Sequence, residues 1–309
     1  MPVQESDTLI TRDGQIQWGG LLLGPGTPYG IAAEGLAGWG DLPALDTADV
    51  LQPAAHGAWP GAQWAQPRTI TGTVWLLPAD RDRTIDVMRQ FRAATGIVDE
   101  ERWLAVRLHG ETLLARARVS QRVVPTDRTY ATQGVAKATV QWICTDPRRY
   151  GALQESAQAG LPAGEEGLLW TDPAAPEARA GLDWAPGLDW GTAGSTGDIT
   201  AYNEGDAPTG LIVEFRGPVR NPSLTRLSDG IRIEYGITLA ESDVLTVDTE
   251  AGTVLLNGAS SRLHTATPGS VPEQLFQLPP GTTSLAFRAA PDSSDPLASA
   301  TVVWRSAHW

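Results

Sequence analysis

The residues able to do chemistry are few in this chain of 309 residues, and they lie far apart. Its four histidines, His56, His109, His264 and His308, form no His-Glu-x-x-His or Ser-His-Asp pattern and no pair with metal-binding spacing. Cys144 is the single cysteine, so it can form neither an intrachain disulfide nor a four-cysteine zinc site. It sits on the apolar face of an alternating segment, which predicts a small buried hydrophobe rather than a nucleophile. The acid pairs Glu100-Glu101 and Glu165-Glu166 fall in a turn and a linker, where solvated charge is the ordinary state. No glycine-rich phosphate loop is present. The sequence therefore assigns no catalytic, cofactor-binding or metal-ligating residue, and it predicts a protein that is not an enzyme.

Arginine is the residue type whose placement suggests contact. Arg81, Arg83, Arg89 and Arg92 share a predicted helix from Asp80 to Thr95, where Ile85, Met88 and Phe91 recur at helical spacing, Asp80 or Asp82 can cap and Gly96 can terminate. Arg116, Arg118, Ser120 and Arg122 alternate along a predicted strand, opposite Ala115, Ala117, Val119 and Val123. Like charges on one strand face repel unless acids, solvent or another subunit meet them. The six arginines Arg81, Arg89, Arg92, Arg116, Arg118 and Arg122 are thus candidate oligomer contacts, with a solvated face as the alternative for the helix.

These residues are positioned by β-structure. Residues 68–76 alternate Ile70, Val74 and Leu76 against Thr69, Thr71, Thr73 and Trp75. Further strands are expected at 103–108, 112–124 and 134–144, the last two forming a long hairpin able to project beyond its sheet. Residues 34–64, with Trp39, Trp59 and Trp64 but little periodicity, read as a long loop. At Asp146-Pro147 the last strand must stop, since proline cannot donate to a ladder. Residues 151–197, rich in Ala, Gly and Pro and carrying the repeat Gly181-Leu-Asp-Trp and Gly187-Leu-Asp-Trp, are expected to be a linker. From Asp198 to Trp309, seven short alternating segments at 211–215, 231–235, 244–248, 253–256, 275–278, 284–288 and 300–305 are punctuated by turns. They indicate a β-sandwich of jelly-roll type.

Charge excludes one class of partner. Residues 1–150 hold 16 acids and 15 bases, residues 151–197 hold 7 and 1, and residues 198–309 hold 13 and 7, summing to the net −13. Lys137 is the only lysine, and no basic cluster offers direct, sequence-specific nucleic-acid binding through phosphate contacts. No apolar run approaches the roughly 20 residues of a membrane helix, and the N-terminus has no basic and apolar leader pattern, which predicts a soluble chain made in the cytoplasm.

Ordered phrases in the second half complete the picture: Asn203-Glu-Gly-Asp-Ala-Pro-Thr209, Phe215-Arg-Gly-Pro-Val-Arg-Asn-Pro222, Val247-Asp-Thr249, Val254-Leu-Leu-Asn-Gly258 and Phe276-Gln-Leu-Pro-Pro-Gly281. Preceded by the junction Asp146-Pro-Arg-Arg-Tyr-Gly151, the series resembles the distal tail (Dit) family of long-tailed bacteriophages, with residues 1–65 matching only loosely. The resemblance implies a mainly β protein: an N-terminal ring-forming domain over 1–150, with a sheet or sandwich, one helix and a projecting hairpin, then a galectin-like jelly-roll sandwich over 198–309. It further implies a six-membered ring at the virion tail tip that joins the tail tube protein to the tail hub or fibre proteins. An alternative is a carbohydrate-binding module that attaches to a host surface glycan, for which Tyr235, Arg232, Asn257 and Trp304 are candidate contacts.

Overall fold

The structure is a computed structural model and describes residues 9–164 and 194–309. The sequence repeat at 181–190, Trp170 and Glu165-Glu166 lie outside the described residues. The chain divides into two compact units, Met1–Leu153 with Ala307–Trp309, and Gln154–Ser306. Both are built almost wholly from antiparallel strands, as the alternation predicts.

In unit 1, β1 (Ile16–Trp18), β2 (Leu21–Leu23) and β3 (Tyr29–Ala37) are followed by an exposed segment with four short strands, β4 (Leu45–Thr47), β5 (Val50–Leu51), β6 (Ala58–Trp59) and β7 (Gln63–Ala65). Then come β8 (Arg68–Leu76), helix α1 (Thr84–Ala94), β9 (Arg102–Leu108), β10 (Glu111–Val123), the short helix α2 (Arg128–Gln133), β11 (Ala136–Cys144) and β12 (Arg149–Gly151). The main sheet runs in the order β2-β1-β9-β10-β11-β8-β3. β12 pairs with β10, and the closing strand Ala307–His308 adds to β12. The core gathers Trp18, Ile70, Leu104, Val140 and Trp142, all fully buried, with the Trp18 and Trp142 rings edge to face at 6.1 Å.

Helix α1 departs from its sequence pattern. Residues Arg81–Arg83 form a 3-10 turn, neither Asp80 nor Arg83 caps through its side chain, and Thr95 rather than Gly96 closes the last turn by donating from its hydroxyl to the Phe91 carbonyl at 2.6 Å. Val87 packs inward with Met88 and Phe91 as a stripe of 3.6-residue period, while Ile85 lies off that stripe and is exposed. The tip of the β10–β11 hairpin carries a second helix that the sequence did not suggest, α2, capped by the Asp127 carboxylate accepting from Tyr130 N–H at 2.9 Å.

The Asp146–Tyr150 junction is a bonded knot. Arg148 donates two parallel hydrogen bonds to Asp146 at 2.8 and 2.9 Å, and the Tyr150 hydroxyl donates to the same carboxylate. Buried Arg68 reaches across to donate to the carbonyls of Pro147 at 2.7 Å and Gly38 at 2.8 Å.

Unit 2 is a two-sheet sandwich. Its strands are β13 (Glu155–Gly160), β14 (Asp198–Asn203), β15 (Leu211–Arg216), β16 (Val219–Arg220), β17 (Ser223–Arg226), β18 (Arg232–Glu234), β19 (Thr238–Leu239), β20 (Val244–Asp248), β21 (Thr253–Leu256), β22 (Ser260–Ser261), β23 (Gly281–Arg288) and β24 (Ser299–Trp304). One sheet is ordered β13-β24-β15-β20-β21-β22 and the other β14-β23-β17-β18. Phe215, Tyr235, Phe276 and Phe287 fill the space between them. The expected strand at 275–278 is instead a 3-10 turn, Glu273–Leu275, followed by a single bridge from Leu278 to Thr209, because Phe276 and Leu278 point inward without a continuous neighbour to pair with. Within the segment expected to be a linker, Glu155–Gly160 is paired along its whole length with β24.

Candidate assembly surface

The described residues contain no group of three or more His, Cys, Asp or Glu able to hold a metal ion, and the four histidines occupy separate elements. Cys144 is fully buried, and desolvation, reinforced by the Glu101 carboxylate, pushes its thiol up to about 12, against the thiolate a nucleophile needs. A cavity of about 670 Å³ in unit 1 is lined by Ile16, Ile31, Leu36, Trp39, Val106 and Leu108 among others, with no ionisable side chain in its wall. It can hold apolar groups but offers no acid or base. Among the described residues, no helix is long and apolar enough to cross a membrane.

The arginine row expected along β10 is split. A β-bulge inserts Ser120 between two registers, Val119 opposite Trp142 and Gln121 opposite Gln141. Before the bulge, Ala115 and Ala117 face inward and Arg116 and Arg118 outward. After it, Arg122 falls opposite buried Val140 and turns to the inner side, while Val123 moves out. A one-residue slip exchanges strand faces, so simple alternation misplaces everything beyond it. Arg122 consequently serves the fold: its guanidinium donates to the carbonyls of Arg92 at 2.9 Å and Thr95 at 3.1 Å. With the Trp18 indole N–H donating to Ala94 at 2.9 Å, it satisfies the open carbonyls at the C-terminus of α1, where positive charge is favoured. Arg81 makes a long contact with the Ala131 carbonyl at 3.5 Å, and Arg89 and Arg92 lie exposed on α1.

The outward face of β8, β11 and β10 therefore presents Arg116, Arg118 and Lys137 beside Thr69, Thr71, Thr73, Trp75, Gln141 and Val123. Arg116 lies over the Trp103 ring at 5.1 Å and Lys137 over Trp75 at 5.6 Å. One acid, Glu34 of β3, approaches this face, 3.8 Å from Lys137.

The feature that the sequence pattern missed is the arm that leaves β3 at Gly38. Here φ is +83°, and a Cβ would lie 2.1 Å from the Thr69 carbonyl oxygen, so only glycine fits the exit. Residues read as a loop form a two-storey β-hairpin, β4 paired with β7 and β5 with β6. Gly61 closes against Ala48 and donates to the Asp49 carboxylate at 2.7 Å. All its strand residues are exposed except half-buried Ala65. Leu51 is 80% exposed, Trp64 68% and Trp59 54%, and Leu42, Leu45 and Val50 are exposed with them. The available signal was the tryptophan content; alternation was silent because neither face is buried.

In unit 2, the four glycan candidates do not gather. Tyr235 is fully buried and donates to Glu273 at 3.1 Å, and burial holds its phenol well above its ordinary pKa. Trp304 is buried with its indole N–H on the Tyr202 carbonyl at 2.9 Å. Neither ring has a face open for stacking on a sugar. Arg232 pairs with Glu234 at 3.2 Å on the surface, and Asn257 sits in a turn at φ +51°, bonded to Val244 and Asp243.

Comparison with known proteins bears out the family resemblance. Residues 204–308 match the family model of the siphovirus-type tail component, C-terminal domain. The fold resembles the crystal structure of the Dit protein of phage SPP1, described as a paradigm of the hub adsorption apparatus in phages infecting Gram-positive hosts. The TM-score is 0.62 at 11% identity, covering 95% of this chain and 98% of that one. A chain of the phage P2 baseplate in its activated conformation with Ca is similar at a TM-score of 0.50 and 10% identity, covering 90% of this chain and 91% of that one. No curated protein matches the sequence.

Proposed function

We propose that this chain is a structural distal tail protein, in which unit 1 assembles into a six-membered ring at the tail tip and unit 2 is the peripheral galectin-like domain. The observation that carries this reading is the tail-component match over residues 204–308 within a fold whose likeness to SPP1 Dit extends over 95% of the chain. The surface of unit 1 supports it. An exposed apolar hairpin and a cationic, aromatic sheet face leave unit 1 with contact surface that a solitary domain rarely displays. Its role is mechanical: the ring joins the end of the tail tube to the hub or fibre proteins, inside a virion made in the host cytoplasm. No step of covalent chemistry is required of it.

Native mass spectrometry and electron microscopy of the full chain, alone and with the tail tube and hub proteins of the same virus, test the proposal. A ring of six copies that binds both partners is the expected result. A chain that stays monomeric under every one of these conditions and captures neither partner refutes it.

A further inference from the structure

The arm and the cationic face of unit 1 are complementary in charge. Residues 41–66 carry Asp41, Asp46 and Asp49 and no lysine or arginine, whereas the outward residues of β8, β11 and β10 carry Arg116, Arg118 and Lys137 and no acid. They are complementary in kind as well. Asp46 pairs across the ladder with Trp64, so an acid and an indole share one side of the arm, and Val50 shares a side with Trp59. The receiving face offers Trp75, Val123 and the aliphatic stems of its arginines, a surface that can take indole rings and carboxylates together. A two-stranded hairpin is marginal on its own in water, and this one exposes six large apolar side chains, Leu42, Leu45, Val50, Leu51, Trp59 and Trp64.

We propose that the arm of one copy of this chain lies across the β8–β11–β10 face of a second copy, with Asp46 and its cross-strand neighbour Trp64 directed at Arg118 and the Trp59 ring, one storey further along the arm, directed at the Trp75 end of the face. The inference rests on the ring reading and specifies its contact. Arm and face are different patches of the same unit, so each copy gives one and receives the other. Such a head-to-tail contact is the kind that closes into a ring when its rotation permits.

The test uses the full chain, with assembly followed by mass photometry across a dilution series. Trp64→Ala with Leu51→Ser on the arm, and separately Arg118→Asp on the face, are each expected to raise the concentration for half-assembly at least about tenfold, as loss of a central interface anchor does. Asp46→Arg is expected to act alike, and Asp46→Arg combined with Arg118→Asp to recover assembly to within about threefold of the parent. All substituted positions are exposed, so circular dichroism and melting of the variants should match the parent. A second measurement does not depend on weakening anything: Asp46→Cys with Arg118→Cys, oxidised with copper phenanthroline, is expected to give a ladder of disulfide-linked copies, while buried Cys144 stays unreacted.

If the parent forms rings and the arm and face variants form them equally well, the arm contact is wrong while the ring stands. If the variants assemble normally but lose capture of the tail tube or hub protein, the arm belongs to that partner, and the proposal falls. A parent that never assembles overturns the ring reading and this contact with it.

Discussion

Unit 2 turns its aromatic residues inward, whereas unit 1 leaves some of its largest on display. Tyr235, Phe215, Phe276 and Phe287 form one buried cluster in unit 2, and Trp304 closes it. The large apolar groups on its surface, such as Leu275, Leu297 and Tyr202, belong to separate elements. Unit 1 also has a filled core around Trp18 and Trp142, yet it sends Trp59 and Trp64 out on a single hairpin. Scattered surface leucines are normal for a soluble domain, while a concentrated set marks a contact. The difference teaches that two units of similar construction can be complete to different degrees: the sandwich satisfies itself, and the N-terminal unit keeps part of its apolar surface for something else.

Core substitutions should break the comparison most strongly. Trp142→Ala and Phe215→Ala are each expected to cost about 3–5 kcal/mol in their own unit, read by chemical denaturation with fluorescence. If the units unfold independently, each variant shifts only one of two transitions.

A smaller effect separates the units by pH. Burial raises Cys144 in unit 1 to about 12 and holds Tyr235 in unit 2 above its ordinary value near 10. In each case the unfolded chain releases its proton first, so the native state binds more protons in the window between the two pKa values, and stability falls as pH rises. The thiol window opens near pH 8.5 to 9 and the phenol window near 10. Unit 1 should therefore begin to weaken at lower pH in denaturation measured from pH 8 to 11, and Cys144→Ala should remove most of that early loss.

Arg122→Ala should cost unit 1 about 1 kcal/mol, through the carbonyls left open at the end of α1, with the far-ultraviolet spectrum nearly unchanged. Arg220→Ala in unit 2 breaks an ion pair to Asp292 with both partners half-exposed and should move the midpoint by less than about 0.5 kcal/mol. A larger change there would mean that surface charge matters to the sandwich in a way its geometry does not display.

Legibility in the sequence followed burial. β8 and β11 alternate without interruption because one face of each packs on the core, and their strand pattern was plain from Arg68 to Leu76 and from Ala136 to Cys144. The junction at Asp146–Tyr150 was recognisable because its residues bond to one another, so their types are tied together. The arm was illegible because a ladder with both faces exposed has no in-and-out rhythm to read. Val87 was missed on α1 because Ile85, Met88 and Phe91 step by three residues, whereas the buried stripe of Val87, Met88 and Phe91 follows the 3.6-residue period and leaves Ile85 off it. The arginine candidates failed as one row for a related reason: Arg116 and Arg118 do share a face, but nothing in the residue types near Ser120 announces an extra residue in the ladder.

That extra residue makes β10 two strands in series with independent phase. The half before Ser120 commits its arginines outward, and the half after it commits Arg122 to the helix, with the serine hydroxyl itself donating to the Gln141 carbonyl at 3.2 Å. Removing Ser120 would take out the extra residue itself, so Gln121, Arg122 and Val123 would keep their partners Gln141, Val140 and Thr139 and α1 would keep its cation. A residue inserted into the regular ladder after the bulge would exchange the faces beyond it and point a valine inward. Variation by substitution can tune this hairpin gradually, and the bulge lets it lose one residue at Ser120 without exchanging its faces, whereas a gained residue beyond it toggles them.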